Sequence, residues 1–184
     1  EDFVLIIMTT AQKDFLAKYG LDVICVDGTH WLNSYQFELT TLLVLDDLRE
    51  GFPCSFLISN RSDKEVLKLM FSKFKEEIVT PKVFMSDMAE SSYNAWTEVN
   101  GVPERRLFCT WHVLHAWKKN LVKIKSKDKQ YEIYNQLRSI LQERDEKALE
   151  RIIHNFQNSR QDPDIADFIS YFEENYVNTD LQTP

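Results

Sequence analysis

Two aspartates stand at matching places in this sequence. Asp27 closes the apolar run Leu21 to Val26, and Asp87 follows the short run Lys82 to Met85. In open α/β sheets, ligands sit in the crevice outside the carboxyl ends of strands. If the two strands are neighbours, both carboxylates face one site. Like charges that close repel, and a cation keeps both ionised. Hard oxygen ligands suit Mg²⁺ or Mn²⁺. Two such ions can clamp the attacking and leaving oxygens of a phosphoryl transfer. Each residue also has a plainer role. Asp87-Met88-Ala89-Glu90 has the shape of a helix N-cap with an acid in the first turn, and Asp27 before Gly28 is a credible turn residue.

A third constellation is Cys109-Thr110-Trp111-His112, with His115 one turn on. The spacing C-x₂-H could place two zinc ligands, but a structural zinc site needs four and no second Cys/His pair is near. His30 and His154 are remote in sequence. The plainer reading is a buried Cys at a strand end and histidines packing at a helix start. Between Arg105 and Lys129 there are eight Lys/Arg and one Asp, net +7, so the rest of the chain carries −14 in a total of −7. A basic segment on an acidic body could contact phosphate; it could equally be a solvated helix face. Trp96, Trp111 and Trp117 lie on or beside helical stretches, where aromatics more often build core than stack on bases.

These residues need elements to position them. Phe3 to Met8 reads as a short buried strand, and Ala11 to Tyr19 as a helix stopped by Gly20. Leu21 to Val26, then Phe37 to Leu45 and Phe52 to Ile58 about a polar turn, read as strands. Pro53 cannot donate to a central ladder, which puts its strand at an edge. Ser62 to Glu65 has capping-box spacing; Val66, Leu69, Met70, Phe74 and Ile78 then share one helical face. Lys82 to Met85 and Arg106 to Cys109 are short strands around a helix from Met88 to Val99. A helix with a stripe at Trp111, Leu114, Trp117, Leu121 and Ile124 follows. Later residues show only amphipathic helical stripes, and Asp162-Pro163 opens a last helix to about Tyr176. The order predicts an α/β core with a mixed sheet over residues 1–125 and a helical region over 126–184.

The chain has 184 residues, 43% hydrophobic and 28% charged, ordinary for a globular domain and unlike a disordered or fibrous one. Its longest strictly apolar run is too short for a membrane helix, and no membrane partner is expected. Three cysteines at irregular spacing argue for a reducing compartment rather than a disulfide framework. The terminal residues Glu1 and Pro184 read as the ends of a piece of a longer protein.

Seven motifs occur in one order: Val26-Asp27-Gly28-Thr29-His30, Thr40-Thr41-Leu42-Leu43-Val44, Gly51-Phe52-Pro53, Ser59-Asn60-Arg61, Met85-Ser86-Asp87, Tyr93-Asn94-Ala95-Trp96 and Cys109-Thr110-Trp111-His112. Together the set resembles the Mutator-like element (MULE) transposase domain, from about Phe3 to Ile124 and more loosely beyond. The resemblance implies a ribonuclease-H-like mixed sheet in strand order 3-2-1-4-5, with a helical insertion before a final catalytic helix. It implies an Asp-Asp-Glu triad holding two Mg²⁺ or Mn²⁺ ions for cleavage and transfer of DNA strands. Asp27 and Asp87 match the first two acids, and Cys109 and His112 match the family's C-x₂-H. The third acid is the departure. Glu143, Glu146, Glu150, Glu173 and Glu174 lie within the helical region, so the third Glu is expected past Pro184 and the fragment alone is expected to be inactive. Lys118, Lys119 and Lys123 on the basic helix are the expected DNA contacts. A DNA substrate implies the nucleus, and the intact protein could be a homo-oligomer. The alternative is a domesticated, non-catalytic module that binds DNA or protein.

Overall fold

The computed structural model describes residues 2–29, 34–74 and 80–177. The chain forms two compact units, one ending at Cys109 and one beginning at Thr110. No described helix is long and apolar enough to cross a membrane.

The first unit runs β1 (Val4–Ile7), α1 (Thr10–Tyr19), β2 (Val23–Thr29), β3 (Glu38–Leu45), β4 (Gly51–Ser59), α2 (Lys64–Phe71), β5 (Val83–Ser86), α3 (Glu90–Asn100) and β6 (Arg105–Phe108). The strands form one sheet in the order β1-β4-β3-β2-β5-β6. The pairs β1/β4, β4/β3 and β3/β2 are antiparallel, whereas β2/β5 and β5/β6 are parallel. Omitting β1, this is the expected 3-2-1-4-5 order. Alternate residues of the central strands (Ile24, Val26, Leu42, Val44, Phe84) are buried on one face against Leu16 of α1, Val66 and Met70 of α2, and Trp96 of α3. That alternation turns Cys25 and Asp27 to the opposite face, because successive side chains on a strand point to opposite sides.

Several expectations need correction. β1 is expected to be buried, but it lies at the sheet edge with Val4, Leu5 and Ile7 about two-fifths exposed (37–43%). A short apolar run does not by itself distinguish an edge from a centre. The Pro53 strand is expected at the edge, yet β1 flanks it. β1 pairs only with Phe56 to Ser59, so Pro53 lies beyond its end. Against β3 the register shifts between Leu42, opposite Ser55, and Leu43, opposite Pro53, leaving Cys54 as an extra residue. Such a bulge accommodates a residue with no N–H, and Gln12 Nε2 donates to the Pro53 carbonyl (2.9 Å). The cap of α2 is Asp63 rather than Ser62: its carboxylate accepts from the Glu65 and Val66 amides. Leu69 is half exposed, and Leu67 and Phe71 are buried in its stead. Ile78 and His30 lie outside the described residues.

The second unit contains α4 (Thr110–Asn120), α5 (Lys127–Gln142), α6 (Glu146–Asn158) and α7 (Ala166–Phe172), which continues as a π-helical segment Glu173–Val177. Its core gathers Trp117, Leu137, Phe156, Phe168 and Phe172, with Trp117 5.7 Å from Phe172 and 5.4 Å from Tyr176 between ring centroids. Ser126 caps α5 and Asp145 caps α6 through their side-chain oxygens. The last helix starts later than Asp162-Pro163 suggests. Asp162 instead makes a turn, its carboxylate accepting from the Asp164 amide (3.0 Å) and pairing with Lys129 (2.5 Å). The Asp164 carboxylate in turn accepts from the Lys125 and Ser126 amides (2.9 and 3.3 Å), which fixes the start of α5.

Candidate functional site

Asp27 lies on β2, between β3 and β5, where it pairs with Thr41 of β3 and is exposed on the face opposite the core. Strands β2 and β5 run parallel, and their last paired residues are Cys25 and Met85. Asp27 and Asp87 each lie two residues beyond that last pair. Neighbouring strands lie about 4.8 Å apart. Asp27 thus lies within β2, which runs on to Thr29, and Asp87 directly follows Ser86, the last residue of the neighbouring parallel strand β5. The last pair across β5/β6 is Ser86 and Phe108, and Asp87 and Cys109 each lie one residue beyond it. The Cys109 amide donates to the Ser86 carbonyl (2.8 Å), which locks these two strand ends together.

The turn holding Asp87 differs from the expected cap. Helix α3 begins at Glu90, and its N-cap residue Ala89 makes no side-chain cap. Asp87 Oδ1 accepts from the Ala89 amide (3.1 Å), an Asx-type turn that orients the carboxylate and leaves its second oxygen to other partners. The two carboxylates offer the hard oxygen donors that suit a divalent cation. Among the described residues, no group of three or more His, Cys, Asp and Glu is gathered to hold a metal ion.

Cys109 ends the first unit with a half-buried free thiol. Burial pushes the Cys25 thiol, two residues before Asp27, up to about 11, with the nearby Cys109 adding to the shift. His112 belongs to the first turn of α4 in the second unit, where its ring meets Trp111 edge-to-face (4.9 Å, 88°).

The basic helix departs from expectation in its aromatic stripe. Val113, Trp117, Leu121 and Ile124 are the buried positions, while Trp111 is 63% exposed. The i, i+4 spacing of 113, 117 and 121 carries the core face, so Trp111 falls outside it. Trp96 and Trp117 are buried as core, as their helical spacing suggests. Lys118, Lys119 and Lys123 are exposed, and Lys118 Nζ lies 5.0 Å over the Tyr134 ring. Of the late acids, Glu143 accepts from the Arg144 and Asp145 amides, Glu173 is held by Arg160 and Gln157, and Glu146, Glu150 and Glu174 are exposed.

One supporting residue has no signal in the sequence beyond its place in a short strand. The Arg106 guanidinium lies 4.2 Å from the Tyr93 ring centre and 4.8 Å from that of Phe108. It pairs with Glu90 in the first turn of α3 (2.9 Å). Its Nε and Nη2 are buried without a hydrogen-bond partner among the described residues, so the two rings take the place of polar partners. Arg106 thereby ties β6 to the helix start that follows the Asp87 turn.

A family model described as Zinc finger SWIM domain-containing protein 1/3, RNaseH-like domain, matches residues 3–99. No curated protein matches the sequence. Among solved structures, a cryo-EM structure of simian T-cell lymphotropic virus intasome in complex with PP2A regulatory subunit B56 gamma is similar at 10% identity and a TM-score of 0.35. That match covers 86% of this chain and 50% of the other, so this chain spans about half the length of its match. A likeness at that level carries no argument about function.

Proposed function

The chain belongs to the RNaseH-like domain family of zinc finger SWIM domain-containing protein 1/3; from that premise we propose that it carries a transposase-type site of the MULE kind, working on DNA by metal-dependent phosphoryl transfer. Asp27 and Asp87 would hold Mg²⁺ or Mn²⁺. When bound, the ions would neutralise charge at the reacting phosphate and polarise its oxygens. The chain's own part is placement. β2 holds Asp27 rigidly between two neighbouring strands, and the Ala89 amide orients Asp87. Lys118, Lys119 and Lys123 would contact DNA phosphates, which position a duplex without reading its sequence. The nucleus is the compartment that suits such a substrate, and a homo-oligomer of the intact protein belongs to the same reading.

The parallel pairing of β2 with β5, whose last pair lies two residues before Asp27 and Asp87, is the observation that supports this reading. A second reading is a domesticated module that binds DNA or protein without catalysis. It draws on the Asp87–Ala89 turn, a structural use for that carboxylate, and on the lack of a third acid beside the pair among the described residues. Assays of Mn²⁺-dependent cleavage by the intact protein separate the two. Asp27→Asn and Asp87→Asn are each expected to abolish cleavage. Full activity in either variant would remove that residue from the site. If the intact protein shows no cleavage yet binds duplex DNA with a steep salt dependence lost on charge reversal at Lys118 and Lys119, the module reading replaces the enzymatic one.

A further inference from the structure

We propose that the solvent face of α4 is a stacking platform for an unpaired base of single-stranded DNA, built from Trp111 and His115. It rests on the proposed function for its partner, DNA, and adds the form of DNA recognised. Trp111 leaves 63% of its surface in water, whereas Trp96 and Trp117 are buried. His115, one turn on, stacks against the indole with ring centres 5.2 Å apart and planes 12° from parallel. The imidazole backs the indole and holds its plane, while most of the indole surface remains open.

Continuing along the same helical stripe, Lys118 and Lys119 follow His115 by three and four residues. At 1.5 Å per residue they lie about 10–12 Å along the axis from Trp111. Lys118 is held over the Tyr134 ring (5.0 Å). Both Lys119 and Lys123 are exposed and form no ion pair among the described residues. An open aromatic plane in line with unpaired cations is the chemistry that binds single strands: the ring takes a base face and the ammonium groups take the backbone phosphates. In a duplex the base faces are stacked on one another, so the indole reaches a base only where pairing is lost. A polyanion suits the surface beyond His115, where Lys118, Lys119 and Lys123 flank the exposed Val122 in sequence.

Fluorescence anisotropy of the full chain with labelled oligo(dT), and separately with a hairpin duplex, tests this. Trp111→Ala is expected to weaken oligo(dT) binding about 5- to 150-fold, the range of base–aromatic stacking, and to leave the duplex Kd within about twofold. Trp111→Phe should recover part of the loss. Lys118→Glu with Lys119→Glu should weaken both ligands. The Trp111 side chain is exposed, so its variants should melt as the parent does. Unchanged oligo(dT) affinity in Trp111→Ala, an equal loss on both ligands, or no oligo(dT) binding by the parent chain would each overturn the platform. Failure here with lysine-dependent duplex binding and an Asp27- and Asp87-dependent Mn²⁺ effect intact would remove the platform alone and leave the proposed function standing.

Discussion

If Asp27 and Asp87 share a divalent cation, that ion must stabilise the folded chain, because the unfolded chain does not hold the two carboxylates together. Asp27 lies on β2 and Asp87 just past β5, parallel neighbours whose axes are about 4.8 Å apart. Two carboxylates with no third ligand gathered among the described residues make a weak site, with a Kd on the order of 1 mM by comparison with open, low-charge cation sites. At 10 mM Mn²⁺ the linkage relation then yields RT ln 11, about 1.4 kcal/mol. For a chain of this length that is a rise of about 3–6 °C in Tm. The assay is thermal unfolding followed by circular dichroism, with NaCl matched for ionic strength so that general screening cancels. Asp27→Asn and Asp87→Asn should each remove most of the rise. Asn is the right replacement at residue 87, because its amide oxygen still accepts from the Ala89 amide and keeps the turn. No Mn²⁺ effect on the parent chain, or an equal effect on parent and both variants, would refute the shared-ion reasoning.

Two further expectations concern stability. Trp117 is 2% exposed against Phe172 and Tyr176, so Trp117→Ala should cost about 3–5 kcal/mol through the cavity it leaves; urea titration measures this, and a cost below about 1 kcal/mol would mean the ring is not packed in the core. Burial holds the Cys25 and Cys54 thiols up to about 11 each, above the 9.0 of an unburied thiol. The folded state therefore keeps protons that the unfolded state gives up: this stability is full below pH 9 and is lost progressively as pH rises towards 11. Chemical denaturation at a series of alkaline pH values should show that fall, and Cys25→Ser with Cys54→Ser should flatten it.

Much of the first unit was legible because its signals are local. Apolar runs and their turn residues locate β2 to β6 within a few residues. The stops at Gly20 and Gly101 mark helix ends, whereas α2 ends at Phe71, well before Pro81; Gly101 adopts the positive φ (91°) that only glycine takes easily. The run before Asp87 ends its strand as expected, whereas β2 continues past Asp27 to Thr29; the ordered motifs supported a sheet order that the strand pairing reproduces.

What sequence alone left open depends on neighbours far along the chain. The Phe3 to Met8 run carries no mark of an edge, and only pairing with Phe56 to Ser59 sets it there and moves the Pro53 strand inward. The bulge at Cys54 that makes Pro53 tolerable exists only against β3. Arg106 looks like any strand cation until Tyr93 and Phe108 close on it. Trp111 and Trp117 are the same residue type on one helix, yet only Trp117 faces Phe172, and a one-position error in a helical stripe turns a side chain by about 100°. Residue type and spacing thus determined which groups could do chemistry and which elements carry them. Tertiary structure decided which of them meet and which face water, because strand register, sheet edges and helix rotation are set by packing between segments distant in sequence.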